Sequence, residues 1–263
     1  HTDSRYGVPG RPGAGHGNAE EGAETADDAG HGEAPVTIGL VQTRIDLRGA
    51  VHMGGFFDAL QFRGAYGDYR HTEFEGADVG TRFFGKGFEF RADLVQSNRG
   101  AWRGRSGIQL QSRKLASVGP EAYTPDNAVS RLGVFTLQSL ELGGGLAAEA
   151  AARFESARVQ ATRIGFDRRF NLWSGAAGLS WSSHTGWKTG LNYTRGARAP
   201  APEELLSNGA HVATQAFEIG DPGFRAETSQ GIEAYLRHAG PAASLSLTGY
   251  ASRISRFIAA LPT

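Results

Sequence analysis

Apolar and polar residues alternate along several segments of this chain, each about ten residues long. The pattern is clear over residues 41–51 and recurs over residues 88–94 and 146–155. A period of two places the two sets of side chains on opposite faces of a strand. The polar face carries charges of both signs, and no segment shows a helical pattern that would cover it. This combination is typical of a transmembrane β-barrel, whose outer face contacts lipid and whose interior is wet.

The alternation predicts about ten antiparallel strands arranged as five hairpins. They span residues 37–51 with 56–72, 79–97 with 101–115, 129–142 with 145–156, 171–183 with 187–197, and 226–238 with 243–257. Connections within hairpins are short and rich in Gly, Asn and Pro, as tight turns are. The connections between hairpins, at 73–78, 116–128, 157–170 and 198–225, are longer, as in outer-membrane barrels. We therefore expect an all-β fold that is part of a larger antiparallel transmembrane β-barrel. The alternative is a soluble β-sandwich or a soluble barrel, although the strands of sandwiches are usually shorter, at ~5–6 residues.

The chain divides into two regions. Residues 1–35 are rich in Gly, Ala, Glu, Asp and His and have few large apolar residues, so we expect a flexible extracellular loop. Residues 36–263 are predicted to form the barrel segment. Because the chain lacks an initiator methionine and stops just after an apolar run, we expect it to be a fragment of a longer protein.

Composition excludes several classes of function. The 27 basic and 27 acidic residues cancel, so no basic field favours nucleic acid. Cysteine is absent, which excludes disulfides and thiolate metal sites. No nucleophile–base pattern or phosphate-binding loop stands out, so we do not predict an enzyme.

The polar face of the predicted strands is rich in arginine and carboxylate. We interpret these charges as an internal ion-pair ladder that holds the register of the strands. Its members are Arg44, Asp46, Arg48, Arg63, Glu89, Arg91, Asp93, Arg105, Arg113, Glu149, Arg153 and Glu233. Aromatic residues on the apolar face near strand ends predict interfacial girdles. These are Trp173, Trp181, Trp187 and Tyr193.

Residues 193–233 resemble the late barrel of TonB-dependent outer-membrane receptors. The loop start has the form R-x-P-x-x-x-E-L, and a return strand follows it. The matching residues are Arg198, Pro200, Glu204 and Leu205, then Asp221, Pro222, Phe224, Glu227, Ser229 and Glu233. Residues 4–10, 45–49, 66–83 and 208–222 are also similar to the ZnuD-like branch, which is associated with uptake of zinc and sometimes haem.

The resemblance has implications for location and partners. It implies a place in the bacterial outer membrane, surrounded by outer-membrane lipid. It also implies energy coupling through the TonB complex, by way of a plug domain and TonB box that we expect to lie outside this fragment. The ligand would be a metal or a metal chelate.

Histidines with nearby carboxylates mark a candidate metal site on the predicted extracellular side. Neutral imidazole and carboxylate suit Zn²⁺ where cysteine is absent. We predict a zinc-capture site from His71, Glu73 and His211, with His16 and His31 of the first loop as a weaker collector. For His16 and His31, an ordinary solvated loop is an equally open interpretation. Zn²⁺ would be the transported ligand, and no resident cofactor is expected.

The expected function is zinc import by capture at the extracellular mouth and energy-coupled transport. Two alternatives stay open. The receptor could instead take haem or a ferric chelate such as a siderophore, since Phe217 supplies an aromatic group near His211. A passive, porin-like barrel is the other alternative.

Overall fold

A computed structural model describes residues 2–7, 36–98, 100–119, 122–211 and 216–259. Most of them belong to antiparallel strands. The strands are β1 (Thr2–Gly7), β2 (Val36–His52), β3 (Phe57–Glu75), β4 (Asp78–Gln96), β5 (Trp102–Val118), β6 (Asn127–Gly143), β7 (Leu146–Ala161), β8 (Phe166–Ser182), β9 (Trp187–Arg198), β10 (Asn208–His211), β11 (Ala216–Ile219), β12 (Glu227–Ala239) and β13 (Ser244–Ser255). A 3₁₀ turn (Thr162–Ile164) and one short helix, α1 (Pro202–Leu206), complete these elements. In this part of the chain no helix is long and apolar enough to cross a membrane.

Eleven strands form one sheet in the order β1 to β9, then β12 and β13. Each strand pairs with its neighbour in the antiparallel sense, and β10 and β11 form a separate hairpin. Among the described residues, β1 and β13 are the two edges of this sheet. The prediction of a partial antiparallel barrel with ten long strands is confirmed. Strands β1, β10 and β11 are additional.

The register separates two faces. The outer face bears large apolar side chains that are left exposed, among them Ile45, Phe88 and Leu132. In the middle of the strands the inner face bears charged residues, and Asp46 lies there in one cross-strand row with Glu89 and Arg131. A broad apolar surface on one face of a sheet, with ions on the other, fits lipid outside and water inside. The four predicted girdle aromatics all belong to the exposed outer face.

The inner-face ion pairs run both along strands and across them. Arg44 pairs with Asp46 at 2.8 Å and Arg91 pairs with Asp93 at 2.8 Å, in each case two residues apart on one strand. Residues two apart share a face, so such pairs form without a neighbouring strand. Other inner-face pairs join neighbouring strands, such as Arg105 with Asp93 at 3.9 Å and Arg198 with Glu227 at 3.1 Å. The polar face thus carries ion pairs of both kinds, and its contribution to register stays a prediction.

We call the two ends of the sheet the loop end and the turn end. The turn end has the connections 53–56, 97–101, 144–145, 183–186 and 240–243. The loop end has the connections 8–35, 76–77, 119–126, 162–165 and 199–226. The prediction of long connections at 73–78 and 157–170 was wrong, because the strands continue through most of these residues.

The error over residues 157–170 has a physical reason. Toward the loop end, the apolar positions of β7 and β8 switch from the outer to the inner face. Ala157 and Val159 point inward and are fully or almost fully buried, while Arg158 lies outward and pairs with Asp167 of β8. Because the alternation reverses here, the sequence pattern did not predict that β7 and β8 continue through these residues.

The inward apolar residues at the loop end pack against the connection between β9 and β12. This connection folds back over the inner face and contributes α1, whose Leu205 is 0% exposed. We call this group the mouth core. It comprises Val129, Ala157, Val159, Ala161, Phe170, Leu172, Ala199, Leu205 and Leu206. The interior is therefore dry at this point, which the alternation did not predict.

The first region departs from its prediction in part. Thr2–Gly7 forms β1 and pairs with residues 37–42 of β2, so this piece is a strand and not a loop. The remainder of the predicted flexible loop, residues 8–35, lies outside the described residues.

Candidate ligand site at the loop end

Tyr69, His71 and Glu73 lie along the inner face of β3 near its loop end. Alternate residues of a strand share a face, so this spacing brings the three side chains together. The Tyr69 hydroxyl is 2.6 Å from His71 Nδ1, and His71 Nε2 is 3.4 Å from Glu73 Oε1. The His71 and Glu73 side chains are only 16% and 13% exposed. The structure thus brings together two of the predicted metal ligands, His71 and Glu73.

Aromatic rings hold the imidazole in place. Phe83 of β4, directly opposite His71 in the register, stacks on it with ring centroids 4.4 Å apart. Tyr69 contacts the same imidazole edge-on at 5.4 Å. His71 therefore has a fixed orientation, with Nδ1 toward Tyr69 and Nε2 toward Glu73.

Three carboxylates from separate elements lie close enough for their charges to act on Tyr123, which lies between β5 and β6. They are Glu218 of β11, Glu203 of α1 and Glu73 of β3. Burial raises the pKa of Tyr123 most, and the negative charges of Glu218, Glu203 and Glu73 raise it further, because each disfavours a phenolate. The mouth of the barrel is therefore acidic beside His71.

The connection that carries Glu203 and Glu218 is held over the mouth by a partly buried latch. Arg198 donates to Glu204 at 2.8 Å and to both carboxylate oxygens of Glu227 at 3.1 and 3.2 Å. Glu204 also accepts the backbone N–H of Ala201 at 2.7 Å, which fixes the first turn of α1. This latch explains the spacing of the R-x-P-x-x-x-E pattern and of the glutamate that follows on β12.

A second set of contacts ties the connection to Tyr123. The backbone N–H of Asn208 donates to the Tyr123 carbonyl at 2.7 Å. Arg113 of β5 reaches Glu203 of α1 at 3.4 Å. Together these contacts attach the connection that carries Glu203 and Glu218 to the segment around Tyr123 and to β5.

The other predicted ligands are not brought into this arrangement. His211 ends β10, where its backbone pairs with Ala216, but its side chain lies outside the described part of the chain. His16 and His31 also lie outside the described residues. Within the ranges that the structure describes, no group of three or more His, Asp or Glu side chains could hold a metal ion. The three histidines stay predictions.

Sequence reasoning missed Tyr69, Phe83, Tyr123 and Glu203 as residues of the mouth. The period of two on β3 could have pointed to Tyr69, since it precedes His71 by two positions. No local signal marks Tyr123, because its position depends on how the connections fold over the mouth.

Both the sequence and the fold are similar to those of known proteins. Residues 3–263 match the family described as TonB dependent receptor-like, beta-barrel. The copper transporter OprC is similar in structure, with a TM-score of 0.69 and 11% identity over 85% of this chain and 43% of that chain.

Two further solved structures share the fold. One is a double mutant of the Serratia marcescens hemophore receptor HasR in complex with its hemophore HasA and heme. Its TM-score is 0.67 at 16% identity, over 84% of this chain and 40% of that one. The other is the FrpB iron transporter from Neisseria meningitidis (F3-3 variant). Its TM-score is 0.63 at 14% identity, over 84% of this chain and 36% of that one. The chain thus spans less than half the length of these proteins.

Proposed function

Because the chain belongs to the β-barrel family of TonB-dependent receptors, which lie in the bacterial outer membrane, we propose that it is part of a metal-importing receptor. The imported ligand would be a divalent metal ion, with zinc as the first candidate. The loop end is then extracellular and the turn end periplasmic. Uptake would be coupled to the TonB complex through parts of the receptor outside this chain.

The combined negative charge of Glu73, Glu203 and Glu218, which acts on Tyr123 at the mouth, carries this proposal. Carboxylates lining a concave site raise the local concentration of cations and repel anions. Haem and most ferric chelates bear carboxylate or other anionic groups, whereas a hydrated metal ion is positive. The acidic mouth therefore favours capture of a free cation.

The geometry of His71 and Glu73 favours zinc chemistry. Zinc binds nitrogen and carboxylate oxygen at about 2.0–2.2 Å in tetrahedral geometry, so two such ligands lie roughly 3.4 Å apart. The distance from His71 Nε2 to Glu73 Oε1 is 3.4 Å. Tyr69 can accept the Nδ1 proton of His71, which leaves the Nε2 lone pair directed at this position. Further ligands would come from His211, His16, His31 or the rest of the receptor.

Haem or a ferric chelate is the second candidate, and one observation favours it. His71 contacts the aromatic rings of both Tyr69 and Phe83, and flat aromatic ligands bind beside such rings. HasR, one of the structural neighbours, is described in complex with its hemophore and heme.

Binding to the full-length receptor tests the proposal. Titration with Zn²⁺, Cu²⁺ and haem is compared for the natural protein, His71→Ala, Glu73→Gln and Glu141→Gln. Glu141 is the matched control, because it is a carboxylate near the turn end that pairs with Arg103 at 3.4 Å. We expect His71→Ala and Glu73→Gln to weaken zinc binding about 10- to 100-fold, with Glu141→Gln unchanged. Tight haem binding that depends on His71, without zinc binding, would instead establish the second candidate.

Transport separates a coupled receptor from a passive pore. Cells that express the full-length receptor are given radioactive zinc with and without an uncoupler of the proton-motive force. We expect uptake to stop when the proton-motive force collapses. Uptake that persists would support the porin-like alternative.

A further inference from the structure

A row of charged residues interrupts the apolar outer face toward the extracellular end. On β3, β4 and β5 the outward residues are mostly apolar up to Tyr66, Phe88 and Leu110. The cross-strand row that follows reads Asp68, Lys86 and Lys114. Two of the three lysines in the chain therefore face each other on adjacent strands of the outer face.

The position of this row matches the edge of the hydrocarbon layer. Lys86 and Gln96, the last residue of β4, are separated by ten positions. At ~3.3 Å per residue and a strand tilt of about 40°, this corresponds to roughly 25 Å along the membrane normal. The apolar band of outer-membrane barrels is about 25 Å tall. The lysines thus lie at the level of the outer-leaflet headgroups.

The cations in this row exceed the anions that could neutralise them. Asp68 is shared between Lys86 at 3.4 Å and Arg70 at 3.5 Å. Lys114 makes no ion pair or hydrogen bond within the described ranges and lies directly opposite Lys86. Like charges directly opposite on neighbouring strands are destabilising, because their Cβ atoms are only ~4.5–5.5 Å apart. An anion between the two ammonium groups would relieve this repulsion.

A groove of about 590 Å³ lies at the same place. Phe84 and Ala116 give it apolar walls, while Lys86, Lys114 and Arg163 supply positive charge. Arg163 is 78% exposed and pairs at 3.3 Å with Asp126, which also lines the groove. A cationic rim beside an apolar wall suits a ligand with a phosphate on an apolar body.

We propose that this groove binds the phosphate-bearing headgroup of lipopolysaccharide in the outer leaflet. Lys86 and Lys114 would contact the same phosphate from two strands, and Arg163 would donate to it from the 3₁₀ turn between β7 and β8. The acyl chains would lie on the apolar outer face below the row, next to Phe88 and Leu110. The inference depends on the membrane location and not on the ligand that the receptor transports.

Native mass spectrometry of the full-length receptor in detergent tests the proposal. The probes are lipid A with two phosphates, lipid A with its phosphates removed, and inorganic phosphate. The variant is Lys86→Gln with Lys114→Gln, and the matched control is Lys188→Gln, which removes the third lysine from the inner face. Heat-modifiable migration on a gel checks that each variant is folded.

We expect the phosphorylated lipid to bind and the double variant to lose affinity for it about tenfold or more, with Lys188→Gln unchanged. Equal binding of the dephosphorylated lipid, or an unchanged affinity of the double variant, would overturn the proposal. Binding of inorganic phosphate alone would also overturn it, because the site would then not be a lipid site. Should the double variant fail to fold, Lys114→Gln serves alone, since its ammonium has no protein partner to lose among the described residues.

Discussion

Leu205 of α1 offers the sharpest test of how the mouth is closed. Its side chain is 0% exposed in the mouth core, so Leu205→Ala removes buried methyl groups and leaves a cavity. Such a change costs about 3 kcal/mol or more when the site cannot collapse. Because α1 belongs to a connection and not to a strand, we expect this cost to weaken the attachment of the connection, while the barrel stays folded. About 1.4 kcal/mol is a factor of ten, so local opening should become roughly 100-fold more frequent.

Amide hydrogen exchange measures this opening. The backbone N–H groups of Gly220 and Asp221 donate to Ser207 and Glu204 at 2.7 and 2.9 Å, so they report directly on the attachment. Their exchange should accelerate about 100-fold, up to the rate of the fully open connection. Leu132→Ala, the same substitution on the exposed outer face, should leave them unchanged. Unchanged exchange in Leu205→Ala would refute the mouth core as the attachment.

Three further predictions concern the latch, the mouth and a turn. Arg198→Met should speed amide exchange in α1 about tenfold, because it removes hydrogen bonds worth ~1–2 kcal/mol after solvent screening. Arg158→Met, on the outer face, is the control, and an equal effect of the two variants would contradict the latch. Tyr123 should ionise above the ordinary tyrosine pKa of 10.0, so the closed mouth loses stability as the pH rises past about 10. Phenolate absorbance should show that Glu73→Gln lowers the pKa of Tyr123, and an unchanged pKa would exclude the proximity of Glu73 to Tyr123. Gly145→Ala should lower the midpoint of urea unfolding more than Gly144→Ala does. Both glycines have positive φ, but only at Gly145 would a Cβ overlap the Ser182 carbonyl oxygen. Equal midpoints for the two variants would contradict the geometry of the turn.

The sequence was sufficient for the ten long strands because one physical signal repeats in each of them. Ile45 and Asp46 illustrate it: where one face meets lipid and the other meets water, adjacent residues must differ in polarity. The prediction failed where that contrast changes. At Ala157 and Arg158 the outer face is beyond the apolar band and the inner face packs on α1, so the alternation reverses.

The candidate site could be predicted only where a single strand defines it. His71 and Glu73 are two positions apart on β3, and that spacing alone brings them together. The approach of Glu203 and Glu218 to Tyr123 depends on a connection that folds back over the inner face. Such contacts join residues far apart in the chain, and no local pattern encodes them.

Short strands also escaped prediction. Strands β1, β10 and β11 are each four to six residues long, and their sequences lack a clear apolar alternation. Their backbones pair with neighbours that define the register, β2 for the first and each other for the second. Pairing supplied by a neighbour leaves little signal in the sequence of the strand itself.

The separation of a lipid-facing and a water-facing side is tested most directly by spin labels on β2. Because the chain has no cysteine, single cysteines can be placed in turn at positions 44, 45, 46 and 47 and labelled in the full-length receptor in bilayers. We predict that labels at Ile45 and Leu47 are relaxed by oxygen dissolved in lipid, and labels at Arg44 and Asp46 by a water-soluble nickel chelate. Labels at Ile45 and Leu47 that neither agent reaches would mean a dry protein interior on that face, and would contradict the barrel.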